Sequence, residues 1–150
     1  MKDIIKIQLM KISDIVKVIH LGKKAGLGMA LEKRETHEMK QMIIRNPNSC
    51  FVAKVQGQVV GCIFGAGNGR RAWIYHLAID HNWQRQGIGS ELLNKTCQVF
   101  KAQKITKIIL GVHITNLKTI PFYEQNGFKV MSDAVLLEKD MWRGGENYEV

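Results

Sequence analysis

Apolar positions recur along the chain in two periods, and each switch between them marks an element. Ile4, Ile5, Ile7 and Leu9 make a short apolar opening that predicts a strand. Ser13 and Asp14 are polar helix starts, followed at helical spacing by Ile15, Val18 and Ile19, with Ile12 just ahead of them. Gly22, Gly26 and Gly28 break that pattern. A second helix is predicted over 33–45, with Met39, Met42 and Ile43 as its apolar stripe and Asn46-Pro47-Asn48 as its stop. Residues 50–55 and 58–64 read as strands joined by a tight turn at Gln56-Gly57, followed by a loop over 65–69. Residues 72–79 read as a strand with Trp73, Tyr75, Leu77 and Ile79 on one face.

The second half continues in the same manner. A helix over 87–103 carries Leu93, Cys97 and Phe100 in one apolar row, flanked by Leu92, Thr96 and Val99. Residues 107–114 form a strongly apolar strand. A short helix over 119–126 has Pro121 in its first turn and Gly127 where a terminating glycine belongs. Strands over 128–131 and 135–140 lead into a Gly-rich polar tail, 141–150. Together these elements predict a mixed α/β chain, one layer of sheet with helices on its faces.

Composition bounds what such a chain can be. At 150 residues it fits one compact domain with a self-sufficient core. Hydrophobic residues at 45% and charged residues at 23% argue against disorder. The longest apolar stretch, Val59 to Gly67, is nine residues with three glycines, against the ~20 that a membrane-spanning helix needs. The N-terminus has neither an apolar h-region nor a small-residue cleavage site, which points to a cytoplasmic protein. Cys50, Cys62 and Cys97 are odd in number and widely separated, so they read as buried hydrophobes and not as a disulfide framework or metal site.

The net charge of +9 is uneven. Residues 1–50 hold ten basic and five acidic side chains, residues 51–129 hold ten and three, and residues 130–150 hold two and five. An excess that peaks mid-chain fits a partner bearing several phosphates, whether nucleic acid or a phosphorylated small molecule.

One junction carries chemistry. The strand over 72–79 is followed by a short loop and then Gln84-Arg85-Gln86-Gly87-Ile88-Gly89-Ser90 entering a helix. Glycines remove Cβ atoms where backbone must approach a ligand, and the first helical N–H groups point outward without partners. With the helix dipole they form a seat for an anion, most naturally a pyrophosphate, near the full charges of Arg85 and Lys95. A P-loop is excluded because no lysine stands between Gly89 and Ser90. A dinucleotide fingerprint is excluded because Leu92 occupies the third glycine position and no carboxylate follows the next strand.

These residues resemble the GCN5-related N-acetyltransferase (GNAT) superfamily. Leu77-Ala78-Ile79 followed by Gln84-Arg85-Gln86-Gly87-Ile88-Gly89 matches its acetyl-CoA signature, and Asn116 with Phe122-Tyr123-Glu124 and Gly127-Phe128 matches its second half. The matched part spans roughly 50–140; residues 1–48 fit the variable acceptor-side helices in outline. The resemblance implies an acyl-CoA N-acyltransferase fold: a mixed, mostly antiparallel sheet of six to seven strands flanked by about four helices. It implies a single domain over 1–150, divided into acceptor-side helices (1–48), an acetyl-CoA-binding core (49–140) and a tail (141–150).

By the same resemblance, Leu77, Ala78 and Ile79 pair with the pantetheine arm and Gln84 through Ser90 hold the pyrophosphate. Asn116 hydrogen-bonds the pantetheine, and Tyr123 places its hydroxyl near the thioester sulfur to protonate the departing thiolate. The co-substrate is acetyl-CoA, no metal is involved, and the acceptor is an amine on a small molecule or protein. Relatives carry a Glu or His base at positions that here are Trp73 and Tyr75, neither of which is a base at neutral pH. His76 has the opposite strand parity and reads as packed behind the site, which leaves His113 or a water chain as the base. Glu32, Glu35 and Glu38 either attract a cationic amine or form a solvated helix face. A non-catalytic CoA-binding sensor and a basic nucleic-acid-binding domain stay open as alternatives, as does a homodimer.

Overall fold

The computed structural model describes residues 4–26 and 32–143. Gly28 and residues 144–150 of the tail lie outside the described residues. In chain order the elements are β1 (Ile5–Leu9), α1 (Ile15–Lys24), α2 (Glu32–Arg45), β2 (Cys50–Val55), β3 (Gln58–Gly67), β4 (Ala72–Ile79), α3 (Ile88–Ala102), β5 (Ile108–Leu110) and α4 (Ile120–Gln125). Short 3₁₀ turns at Ile12–Asp14, His81–Trp83 and Ile114–Thr119 join some of them.

The five strands lie in sequence order across one sheet, antiparallel from β1 to β4, with β5 added parallel to β4. Apolar faces on both sides of the sheet build two cores. One lies under α1 and α2, where Ile15, Val18, Met39 and Ile43 meet Val52, Cys62 and Phe64. The other lies under α3, where Ile88, Leu92, Leu93 and Phe100 meet Phe51, Ile63 and Ile74, and α4 adds Phe122 and Tyr123 at its margin. The helical stripes therefore pack as their spacing predicts, the Met39 stripe included. Cys50 and Cys62 are buried, and burial pushes their thiols up to about 11 and about 12.

Two anchors fix α1. Asp14 is 3% exposed; its Oδ2 accepts the Lys11 N–H at 2.9 Å, and its Oδ1 lies 2.9 Å from Lys54 Nζ on β2. At the other end, Lys24 Nζ reaches Asp80 Oδ2 at 3.3 Å, just past β4. Gly65 of β3 is required by close packing. A Cβ there would stand 2.6 Å from Thr96 and 2.9 Å from Phe100, so α3 can rest on the sheet only over a bare backbone.

Several sequence expectations are corrected. Among the described residues the sheet has five strands, not six to seven: the segments 128–131 and 135–140 form no strand. β5 beside them is only three residues long instead of the eight predicted over 107–114, so it offers these apolar runs a short ladder to extend. Val135 and Leu137 accordingly stand 87% and 95% exposed. Beyond Leu110 the chain turns away, and His113 caps the 3₁₀ helix at Ile114–Thr119. α1 runs through Gly22, and β3 extends to Gly67 through the predicted loop. The chain around residues 140–142 packs on α2: Trp142 lies against His37, and Asp140 Oδ2 accepts from Arg34 Nη1 at 2.8 Å.

Candidate active site

β4 and β5 pair through three rungs, Ala72–Ile108, Trp73–Ile109 and Ile74–Leu110, and there the ladder stops. Beyond Ile74 the β5-side edge of β4, from Tyr75 to Ile79, has no partner strand among the described residues. Its N–H and C=O groups form an edge of the kind that accepts an added extended chain.

A bulge sits at the same point. β4 pairs with β3 as Phe64–Tyr75 on one side of it and Cys62–Ala78 on the other, so β4 carries one extra residue between. His76 absorbs it with a left-handed φ of 49°. Such a backbone costs on the order of 1–3 kcal/mol and persists only where its surroundings enforce it.

The bulge turns the rest of the strand over. Trp73 and Tyr75 stack 6.4 Å apart, whereas Leu77 and Ile79 join the core under α3 and Ala78 that under α1 and α2. The expected single face of Trp73, Tyr75, Leu77 and Ile79 is thus split. His76, expected behind the site, instead faces α2: its Nε2 lies 3.7 Å from Glu35 Oε2, and its ring stands edge-on to Phe64. Burial lowers its pKa below the ordinary histidine value, against the opposing pull of Glu35 and Glu38.

The loop after β4 is tied to the strand by Gln84, whose Nε2 donates to Ile79 O at 3.3 Å. Left-handed residues Arg85 (φ 63°) and Gly87 (φ 82°) then bend the backbone into α3, as in anion-binding nests. Gly87 is the N-cap and has no side chain to cap with. The first intrahelical bond runs from Glu91 N–H to Gly87 O at 3.0 Å, so the N–H groups of Ile88, Gly89 and Ser90 have no acceptor within the helix. Arg85 and Gln86 are exposed beside them, while Ile88 is buried and anchors the turn. Lys95 does not add its charge here; its Nζ lies 5.9 Å from the Phe51 ring centroid, over β2.

α4 closes the far side. Gly89 abuts Phe122, and Asn126 Nδ2 reaches Ser90 Oγ at 3.4 Å, which locks the start of α3 to the helix that carries Tyr123. Tyr123 is held edge-on between Phe122 and Phe128, and burial raises its phenol above the usual value. Hence it stays protonated at neutral pH.

The sequence model of the Acetyltransferase (GNAT) family matches residues 19–128. The chain belongs to that family.

It is similar to the acetyltransferase SG1711 of Sodalis glossinidius (strain morsitans), with 27% identity over 134 residues, 89% of this chain and 94% of that one. Among solved structures it resembles Ard1 from Thermoplasma volcanium, with a TM-score of 0.76 and 25% identity, over 85% of this chain and 84% of the other. The PaiA N-acetyltransferase from Thermoplasma acidophilum, in complex with coenzyme A, shares the fold at a TM-score of 0.73 and 21% identity, over 87% and 93% of the two chains. Acetyl-CoA is the co-substrate of the GNAT family. Among the described residues, no helix is long and apolar enough to cross a membrane and no His, Cys, Asp or Glu group is arranged to hold a metal.

The fold thus gathers Leu77–Ile79, Gln84–Ser90 and Tyr123 of this GNAT chain. Asn116 lies in the 3₁₀ segment before α4, with a non-helical backbone (φ −126°) and its carbonyl accepting from Thr119 Oγ1. His113 is exposed, and its ring accepts the Thr115 N–H at 3.2 Å as the cap of the 3₁₀ segment. The glutamate run is not a uniformly solvated face. Glu32 pairs with Lys23 and Glu38 with Arg34, but Glu35 is 5% exposed. The signal was present in the sequence: Glu35 lies four residues before Met39 and eight before Ile43, on the buried stripe of α2.

Proposed function

We propose that this chain transfers the acetyl group of acetyl-CoA to a primary amine by direct attack in a ternary complex. The observation that carries the reading is the end of the β4–β5 ladder at Ile74–Leu110, beside the uncapped start of α3 and the protonated Tyr123. Leu77, Ala78 and Ile79 bind the pantetheine arm as a strand would. The N–H groups of residues 87–90, with Arg85, hold the pyrophosphate, Gln84 and Gln86 frame that loop, and Asn116 hydrogen-bonds the pantetheine. The PaiA complex with coenzyme A supports a CoA ligand for this fold.

The chemistry follows from those groups. A neutral amine attacks the thioester carbonyl, and the new C–N bond leaves an oxyanion that a backbone N–H of the Leu77–Ile79 edge stabilises. The C–S bond then breaks, and the Tyr123 hydroxyl gives its proton to the departing thiolate. The chain acts as one catalytic domain in the cytoplasm, with α1 and α2 on the acceptor side. Thiol release measured across a panel of amines, beside acetyl-CoA-induced stabilisation, tests this reading. Stabilisation without release for any amine favours a CoA-binding sensor, and stabilisation by nucleic acid but not by acetyl-CoA favours the basic-domain alternative.

A further inference from the structure

Tyr123 returns a proton to sulfur, yet the amine must also lose one, and positions 73 and 75 carry Trp and Tyr. We propose that His76 takes the proton of the acceptor amine and that Glu35 is its positioning residue, an inference that rests on the acetyl transfer proposed above.

Geometry carries it. The bulge that ends the regular strand also swings His76 onto the face shared by Trp73 and Tyr75, at the level where the edge of β4 opens beyond Ile74. The imidazole lies within 3.7 Å of the Glu35 carboxylate, and the two side chains are 24% and 7% exposed. The histidine is therefore sheltered but reachable, and the carboxylate behind it is almost closed off from water. A carboxylate on the buried stripe of a helix is held there by a polar partner, since it is rarely buried alone. Among the described residues, Cys62 also touches His76: its thiol donates to the His76 backbone carbonyl at 3.2 Å and stays neutral. Glu38, also from α2, acts on the imidazole at longer range. Burial keeps the ring neutral at pH 7, the form that accepts a proton, and both glutamates favour the imidazolium once it forms.

The proton balance closes. As the amine nitrogen bonds to the carbonyl carbon, its proton passes to the imidazole nitrogen turned away from Glu35. The C–S electron pair goes to sulfur, which takes the Tyr123 proton. Imidazolium and phenolate then return to their resting forms by exchange with water, leaving amide and free thiol.

The test compares wild type, His76→Gln, His76→Gly and Glu35→Gln with acetyl-CoA and a panel of a free-N-terminus tetrapeptide, spermidine, lysine methyl ester and kanamycin. With any amine that wild type accepts, His76→Gln lowers kcat about 100-fold, the scale of a lost general base. Its acetyl-CoA-induced rise in Tm is unchanged. Glycine suits the left-handed backbone at 76, so His76→Gly folds, and added imidazole restores part of its rate. The wild-type kcat falls below pH 6.5 as the imidazole protonates, and His76→Gln loses that limb. Glu35→Gln moves the limb to lower pH, which a merely structural residue would not do. A His76→Gln rate within twofold of wild type, with the acid limb intact, overturns the inference while leaving acetyl transfer standing. A wild type that binds acetyl-CoA but acetylates no amine overturns both.

Discussion

Gly89 and Phe122 touch across the site: a Cβ at position 89 would stand 3.3 Å from Phe122 Cζ. That contact couples the uncapped start of α3 to the helix of Tyr123, so these two elements keep their spacing only while residue 89 is bare. Gly89→Ala should displace the ring by a few tenths of an ångström and move Tyr123 with it. The expected result is about a tenfold loss in kcat/KM for acetyl-CoA, or 1.4 kcal/mol, with little change in Tm. Gly87→Ala is different in kind. Its left-handed backbone makes a side chain cost about 1–2 kcal/mol of stability, readable by urea unfolding.

Tyr123→Phe keeps the ring between Phe122 and Phe128 and removes only the hydroxyl. Turnover should fall about 100-fold or more, while acetyl-CoA affinity stays within about twofold. Calorimetric binding beside steady-state kinetics separates the two, and equal losses in both would remove the tyrosine from its role as acid.

Asp14 and Lys54 make a nearly buried pair that ties the start of α1 to β2. Asp14→Asn leaves the lysine without its charge partner and should cost about 3 kcal/mol, the lower end for breaking such a pair. Acetyl-CoA affinity should be unaffected, because the pair lies on the α1 side of the sheet, opposite α3.

The buried thiols bear directly on any thiol-release assay. Cys50 and Cys62, pushed up to about 11 and about 12, should not react with a disulfide reagent at pH 7.5 in the native protein. Cys97 is half-buried and should be the one that labels slowly, and unfolding should expose all three.

Acid should weaken the fold in two stages. The pKa of His76 is depressed in the folded protein, so its contribution is whole above the ordinary value of 6.5 and is lost as pH falls through the lowered one. Asp80, depressed by the Asn82 N–H and by Lys24, follows the same sign below its ordinary 3.8. In urea titrations His76→Gln should lack the first stage.

Local pattern carried much of this structure. The strands 50–55 and 72–79 and the helix before residue 103 were legible because period and punctuation agreed there, and the Gln84–Ser90 loop was legible because its glycines and flanking residues form one motif. The bulge at His76 was not, because an extra residue in a ladder leaves no mark on an apolar alternation. Everything after it changed face, and the Glu35–His76 pair was hidden with it. The segments over 128–131 and 135–140 carry the apolar runs that strands carry, but an apolar run does not specify a partner, and three residues of β5 offer too little edge.

The most direct measurement is free-thiol release from acetyl-CoA by the purified wild-type chain, with and without each amine of the panel. Release should depend on at least one amine, with acetylated amine appearing in equal amount by mass spectrometry. Tight acetyl-CoA binding with no amine-dependent release for any member would contradict it.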